Sequence, residues 1–260
     1  MAADGVRGQV AVSVNLDAET LWLGLFAESV RMPKTLSMGE YGPRHGLQRV
    51  LYALARHDVQ ATFFIPGRVA ELYPDEVRAI RDAGHEIGLR GYQGESLGQM
   101  PEAAQAQCLT RALDALGHVT KERPAGFRAP LGEVSLTTLR LVQDEGFLYS
   151  SSLHGDDRPY RLASGLLELP WHWELYDLPY FVFNYNPALP QGQGRIAPYR
   201  GVLQNWLDEL QAYRREGLFY QLVVTPQAIG TPGRIPLFEA MLDAMGHAGV
   251  LTLGEIARRS

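Results

Sequence analysis

The chain alternates short apolar runs with amphipathic stretches from one end to the other. Runs rich in β-branched and aromatic residues predict buried strands at residues 9–16, 61–65, 126–128, 147–150, 166–169 and 218–225. Apolar residues at three- and four-residue spacing predict helices at residues 46–57, 74–83, 101–116, 135–145, 206–213, 235–245 and 253–258. Because strands alternate with helices and no Gly/Ser-rich linker interrupts them, the pattern favours one parallel α/β domain over residues 1–260.

Residues 171–200 break the alternation, because they are rich in aromatic residues, Pro, Asn and Gly. This composition predicts a long loop over one face of the domain. Its aromatic residues, Trp171 and Trp173 among them, suit the wall of a pocket for a flat or apolar ligand. They suit a subunit interface equally well, so both interpretations stay open.

Composition narrows the choice of partners and compartment. The net charge of −5 argues against nucleic acid and anionic membranes, which attract basic surfaces. The single cysteine, Cys108, cannot form an intrachain disulfide, so nothing indicates an oxidising compartment. The first residues lack the blocks of a signal peptide, and no apolar run approaches the roughly 18 residues of a membrane span. A cytoplasmic protein acting on a small molecule is therefore expected.

Polar residues that directly follow predicted strands are the first candidates for a functional site. The carboxyl ends of parallel strands meet at one rim, where α/β proteins build their sites. The residues in such positions are Asn15, Asp17, Glu19, Arg90, Arg128 and Thr225. The alternative is that they cap helices or balance one another's charge.

Several segments in the same order resemble the polysaccharide deacetylase (NodB-homology) family, in particular its intracellular branch of imidase-, allantoinase- and peptidoglycan-deacetylase-like enzymes. They include ATFFIPGRVAELYPDEVRAIRDAGHEIG, RPAGFRAP, LLELPWHWELYDLPYF and TPQAIGTPGRIPLFEAML, and they cover most of residues 9–257. The resemblance implies a distorted (β/α) barrel of about seven strands. It also implies a homo-oligomer, since the related enzymes assemble in this way.

The family holds a divalent metal with one Asp and two His residues, and its base, acid and orienting group are an Asp, a His and an Arg. The Asp-x-Asp pattern falls on residues 15–17, so the metal-binding carboxylate is retained as Asp17 while the base has become Asn15. The two His positions are Arg90 and Gly94 of GHEIGLRGYQGE. The orienting Arg is retained as Arg128.

The position of the acid is taken by Thr225, so the sequence departs from the family wherever protons or metal are handled. An arginine has no lone pair for a metal, and an asparagine does not accept a proton at neutral pH. We therefore expect no metal and no other cofactor. We hypothesise that Arg90 forms an ion pair with Asp17 in the place of the metal, with Arg128 nearby. Such a pair either clamps an anionic ligand or only replaces the metal as a scaffold.

For proton transfer the remaining candidates are Glu19, Glu95, His154 and His172, with Glu95 better suited to a supporting role. Asn15, Glu95, Trp171, Trp173 and Thr225 are the expected substrate-binding residues. Three hypotheses follow. The first is a metal-independent enzyme that performs hydrolysis, cyclisation or elimination on a small molecule, with Asp17, Arg90 and Arg128 at its centre. The second is a non-catalytic pseudoenzyme that binds a ligand or protein partner, and the third is a residual metal-dependent amide or imide hydrolase.

Overall fold

A curled, half-barrel sheet forms the centre of the molecule in the computed structural model, which describes residues 8–130, 133–190, 194–246 and 249–260. In those residues the sheet has nine strands, in the order β6-β7-β5-β4-β3-β2-β1-β8, with β9 also paired to β1. The strands are β1 Val10–Asn15, β2 Thr62–Ile65, β3 Glu86–Leu89, β4 Gly126–Phe127, β5 Tyr149–Ser150, β6 Tyr160–Arg161, β7 Leu167–Glu168, β8 Tyr220–Val224 and β9 Val250–Leu251.

Helices surround this sheet. They are α1 Thr20–Leu25, α2 Pro33–Tyr41, α3 Leu47–Arg56, α4 Gly67–Leu72, α5 Pro74–Asp82, α6 Glu102–Thr120, α7 Leu136–Asp144, α8 Leu178–Phe181, α9 Tyr199–Glu216, α10 Pro226–Ile229, α11 Ile235–Met245 and α12 Leu253–Arg259. A π-helical turn, Gly42–Gly46, precedes α3. None of the helices in the described ranges is long and apolar enough to cross a membrane.

The parallel register brings the candidate residues to one rim. Strand β1 is buried along its whole length and pairs in parallel with β2, β8 and β9. Strands β3, β4, β5 and β7 continue the parallel order on the other side of β2, and only β6 runs antiparallel. Asp17, Arg90, Arg128 and Thr225 each follow the carboxyl end of one of these strands, so the predicted rim exists.

The distorted α/β barrel implied by the resemblance is confirmed, and two helix and loop boundaries are corrected. In the described residues the sheet has nine strands, and three short ones, β3, β6 and β9, were not among the runs predicted from the apolar pattern. Helix α9 begins at Tyr199, well before the predicted residue 206, and its buried Val202 continues the apolar spacing of Trp206 and Leu210. This turn was assigned to the loop because Gly201, a weak helix former, follows a stretch rich in Pro and Gly. Residues 171–200 are not one continuous loop, since they contain α8 and a 3₁₀ turn at Trp173–Leu175.

The end of the barrel opposite the rim is closed by α12. Leu253 and Ile256 are fully buried in a cluster with Phe64, Tyr149 and Phe219, among others. Glu86, at the start of β3, holds α12 in place through its carboxylate. The oxygens of Glu86 accept hydrogen bonds from Gly254 N at 2.8 Å, Thr62 Oγ1 at 2.6 Å and Tyr149 Oη at 2.9 Å. The carboxyl rim is therefore the end at which a ligand would approach.

We predict that Leu253→Ala lowers the free energy of unfolding by about 2–5 kcal/mol, because it leaves a cavity in the closed end of the barrel. Leu136→Ala is the matched control, since that side chain is 86% exposed and its loss should change stability by no more than about 0.5 kcal/mol. Urea unfolding followed by circular dichroism measures both. Equal effects of the two substitutions would contradict the packing described for α12.

Candidate functional site

An ion pair between Asp17 and Arg90 lies at the centre of the rim. Arg90 Nε donates to Asp17 Oδ1 at 2.5 Å, and Arg90 Nη2 donates to Asp17 Oδ2 at 3.2 Å. The third nitrogen, Nη1, donates to the carbonyl oxygen of Ala129 at 2.8 Å. Both side chains are almost completely buried, at 3% and 4% exposure. Burial disfavours the charge of Arg90, but Asp17 outweighs it and the pKa of Arg90 is raised overall. The predicted ion pair is thus present in the structure.

The residues at this position do not fit a divalent metal. Both carboxylate oxygens of Asp17 are engaged by a cation that cannot itself coordinate metal. The second family ligand position, Gly94, has a φ of +89°, and a Cβ built on it would overlap the carbonyl oxygen of Thr20 in α1. A Cβ built on Gly24 of the same helix would likewise overlap the carbonyl oxygen of Gly94. Within the described ranges, no group of three or more His, Cys, Asp or Glu side chains is placed to hold a metal ion.

Arg128 is the second guanidinium of the site, and it is 1% exposed. Its Nη1 donates to Asn15 Oδ1 and Ser13 Oγ, each at 3.0 Å. Its Nε and Nη2 donate to the carbonyl and hydroxyl oxygens of Ser151 at 2.9 and 2.8 Å. All these acceptors are neutral. Burial and the nearby charge of Arg90 lower the pKa of Arg128 to about 9, which remains high enough for the group to be charged at neutral pH.

A polar belt inside the barrel holds Arg128 in this position. Gln221 of β8 donates to Ser13 Oγ and Ser151 Oγ, each at 3.2 Å, and Ser151 Oγ donates to the carbonyl oxygen of Leu169 at 2.8 Å. Sequence reasoning missed Ser13, Ser151 and Gln221. The available signal was a polar residue with an inward position in, or directly after, an otherwise apolar strand.

Aromatic rings cover the buried charges from the side of the rim. Trp171 lies 5.6 Å from Arg128 Cζ and is 7% exposed. Trp173 packs on Trp171 at 4.9 Å and is 53% exposed, and the exposed His154 lies 4.5 Å from Trp171 and 5.3 Å from Trp173. Trp171 Nε1 donates to the carbonyl oxygen of Ser151 at 3.2 Å. From solvent inward the order is therefore Trp173 and His154, then Trp171, then Arg128.

Thr225 belongs to a buried group that includes two further residues. Its backbone N donates to Asp177 Oδ2 at 2.8 Å, and its Oγ1 donates to Tyr176 Oη at 3.3 Å. Burial raises the pKa of Tyr176 to about 12, and the negative charge of Asp17 adds to the shift. Burial also raises the pKa of Asp177 to about 8. Tyr176 is one of the aromatic residues of 171–200 that were expected to wall a pocket or form an interface, whereas Asp177 was missed, although a single acidic residue within LYDLPYF was a usable signal.

Glu19 and Glu95 make different contacts from those of the central groups. Glu19 Oε1 accepts a hydrogen bond from Tyr73 Oη at 2.6 Å, while its buried Oε2 has no partner among the described residues. Glu95 accepts from the backbone N of Tyr92 at 2.8 Å and of Gln93 at 2.6 Å, and Cys108 Sγ also contacts it. Glu95 therefore stabilises its own loop, which agrees with a supporting role.

The remaining histidine candidate is His172, which lies between Trp171 and Trp173 in the sequence. It pairs with Asp157 and not with Asp17. Its Nε2 is 3.0 Å from Asp157 Oδ1, which also accepts from Tyr213 Oη at 3.2 Å. The aromatic residues Phe183 and Tyr185 of the following segment are 52% and 82% exposed. The homo-oligomer expected from the resemblance stays a prediction.

Comparison with known proteins places the chain in one family. The family model for polysaccharide deacetylases matches residues 36–150. A crystal structure from Mycobacterium smegmatis, assigned to the polysaccharide deacetylases, is 34% identical, covers 99% of this chain and 91% of that one, and superposes with a TM-score of 0.90. A peptidoglycan deacetylase from Helicobacter pylori is 28% identical, over 95% of this chain and 94% of its own length. The chain belongs to the polysaccharide deacetylase family.

A third relative shows how widely the fold is shared. The crystal structure of Puue allantoinase is 24% identical, covers 98% of this chain and 91% of its own, and has a TM-score of 0.81. At this identity the likeness establishes the fold alone. The fold implied by the sequence resemblance is thus confirmed, while the chemistry must be argued from the residues of this site.

We predict that Arg90→Met lowers the free energy of unfolding by about 3–5 kcal/mol, because it leaves the buried carboxylate of Asp17 without a cation. The double substitution Asp17→Leu/Arg90→Met should recover most of this loss, since it removes both charges together. Arg140→Met is the matched control, because its ion pairs are exposed to solvent, and it should change stability little. Urea titration measures all three. A double variant no more stable than Arg90→Met would contradict the pairing.

We predict that Asp177 makes the protein less stable as the pH rises towards 8. Between its unfolded pKa near ~4 and its folded pKa of about 8, the folded state binds a proton that the unfolded state has released, so stability falls with pH. Asp177→Asn should therefore lose less stability than the wild type between pH 6.5 and 8.5. This window lies above the titration of His85, whose pKa burial lowers to about 4, and below that of Arg128. Equal pH slopes in urea unfolding would contradict the prediction.

Proposed function

We propose that this protein is a metal-independent member of its family that binds a small molecule at the rim and does not carry out deacetylation, a ligand-binding pseudoenzyme. The observation that carries the proposal is the bidentate contact of Arg90 with Asp17. It places a guanidinium where the resemblance implies a metal, and a guanidinium generates no metal-bound hydroxide.

The two residues that the family uses for proton transfer are also replaced in this chain. Asn15 and Thr225 stand at the family's base and acid positions and do not exchange protons at neutral pH. Asp17 is a carboxylate, but both of its oxygens accept hydrogen bonds from Arg90, so neither is free to contact a substrate. Asp177 is fully buried, and its carboxylate accepts a hydrogen bond from the backbone N of Thr225 at the start of α10.

The retained parts of the site favour binding. The polar belt fixes Arg128 at the end of β4, and the half-exposed Trp173 with His154 offers a ring surface at the entrance. Aromatic surfaces with a few fixed polar groups are typical of small-molecule sites. This arrangement supports a ligand whose flat or apolar part contacts Trp173 and whose polar part points inward.

A metal-independent enzyme is the second candidate, and one observation favours it. Glu19 Oε2 is buried without a partner among the described residues, two positions after Asp17, while Oε1 is fixed by Tyr73. A carboxylate with one fixed and one free oxygen suits a proton-transfer group that acts on a bound small molecule by hydrolysis, cyclisation or elimination.

We predict that zinc titrated into the purified protein shows no stoichiometric binding by calorimetry at micromolar concentration. Asp17→Asn is the control, because any binding that persists in this variant arises elsewhere. Stoichiometric binding that Asp17→Asn abolishes would overturn the proposal and support the metal-dependent hydrolase.

A turnover experiment distinguishes the two metal-independent candidates, the ligand-binding pseudoenzyme and the enzyme. Thermal-shift screening of metabolites identifies a ligand, and its NMR signals are then followed over hours with the protein present. The pseudoenzyme leaves these signals constant. Conversion to a product that Glu19→Gln fails to form would establish the enzyme instead.

A further inference from the structure

Arg128 is a buried cation that has lost the carboxylate its position implies. Every oxygen that accepts a hydrogen bond from it in the described residues is neutral: Asn15 Oδ1, Ser13 Oγ and the two oxygens of Ser151. The charge of Arg90 is balanced by Asp17, whereas Arg128 donates to no carboxylate, so its buried positive charge has no partner of opposite sign within hydrogen-bonding distance in the described residues. Buried charges normally have a partner of opposite sign.

Glu168 is the carboxylate whose charge acts most on Arg128, but it does not contact the guanidinium. Glu168 raises the pKa of Arg128 slightly but forms no ion pair with it. Its Oε1 accepts instead from the backbone N of Ser152 at 2.5 Å and of Leu153 at 2.9 Å. Burial also raises the pKa of Glu168 itself.

A free hydrogen-bond donor lies beside the positive charge of Arg128. Asn15 is fully buried, its Oδ1 faces Arg128, and its Nδ2 has no partner among the described residues. Because both atoms belong to one planar amide, this N–H donor lies within a few ångströms of the guanidinium. A cation and an unpaired N–H donor together form a site for a small anion.

We infer that the ligand of this protein carries a carboxylate, which binds between Arg128 and Asn15 Nδ2 and supplies the negative charge that residue 15 no longer provides. The inference rests on the proposed binding function and names the chemical class of the ligand. Trp171 separates Arg128 from the half-exposed Trp173, so the carboxylate enters first as Trp171 moves aside, and the rest of the ligand remains at the aromatic entrance.

The substitution Asn15→Asp tests this directly, because it builds the missing carboxylate into the protein with almost no change in volume. We expect the melting temperature of Asn15→Asp to exceed that of the wild type by about 3 °C, as Arg128 gains a charged partner. Asn184→Asp is the matched control. Asn184 is also buried, but its Nδ2 already donates to Thr35 Oγ1 at 3.3 Å, so a buried carboxylate at this position should make the variant no more stable than the wild type.

Formate is the binding probe, since its carboxylate carries no bulk. We expect the proton NMR signal of formate to broaden with the wild type and with Asn184→Asp, to sharpen again when acetate is added in excess, and to stay sharp with Asn15→Asp. A signal that stays sharp with the wild type, or broadens equally with Asn15→Asp, would overturn the inference. The zinc titration tests the proposed function separately, so either of these results without zinc binding would remove only the carboxylate site.

Discussion

A carboxylate buried at the end of a central strand requires a cation beside it, and the identity of that cation determines the chemistry of the rim. Asp17 is placed by β1, which is buried along its whole length and paired on both sides. Here the cation is the guanidinium of Arg90, held by both carboxylate oxygens and by the carbonyl of Ala129. A covalently attached cation cannot be exchanged or removed, so the scaffold of the site is permanent.

The rest of the interior follows from this exchange. A guanidinium carries one charge fewer than a divalent metal, and the change of the base to Asn15 compensates for that difference. Hydrogen bonds to the polar belt, which includes Ser151 and Gln221, hold Arg128 in position, and the ring of Phe64 packs against its guanidinium at 4.1 Å. The close contact of Gly94 with α1 fills the space of a second metal ligand with backbone. These changes are mutually consistent, which supports the proposal of a metal-independent site.

The parts of the molecule that could be predicted from the sequence depend on periodicity and on order along the chain. Alternating apolar runs indicated a parallel α/β domain, while the family resemblance implied the barrel and placed Asp17 beside Arg90. Contacts between segments that are distant in the sequence produce no such periodic pattern. The hydrogen bond from Tyr73 to Glu19 joins residues 54 apart, and Asp177, which accepts a hydrogen bond from Thr225, lies in a segment interpreted as a loop. The start of α9 was missed although Val202 continues its apolar spacing, because Gly201 and the preceding stretch rich in Pro and Gly indicated a loop.

The most direct test of the account is a crystal structure of the protein grown with excess zinc, with anomalous scattering recorded at the zinc edge. The account predicts no anomalous peak at the rim and a guanidinium of Arg90 within hydrogen-bonding distance of both oxygens of Asp17. A zinc ion about 2.0–2.2 Å from Asp17, with the side chain of Arg90 turned away from it, would contradict the account.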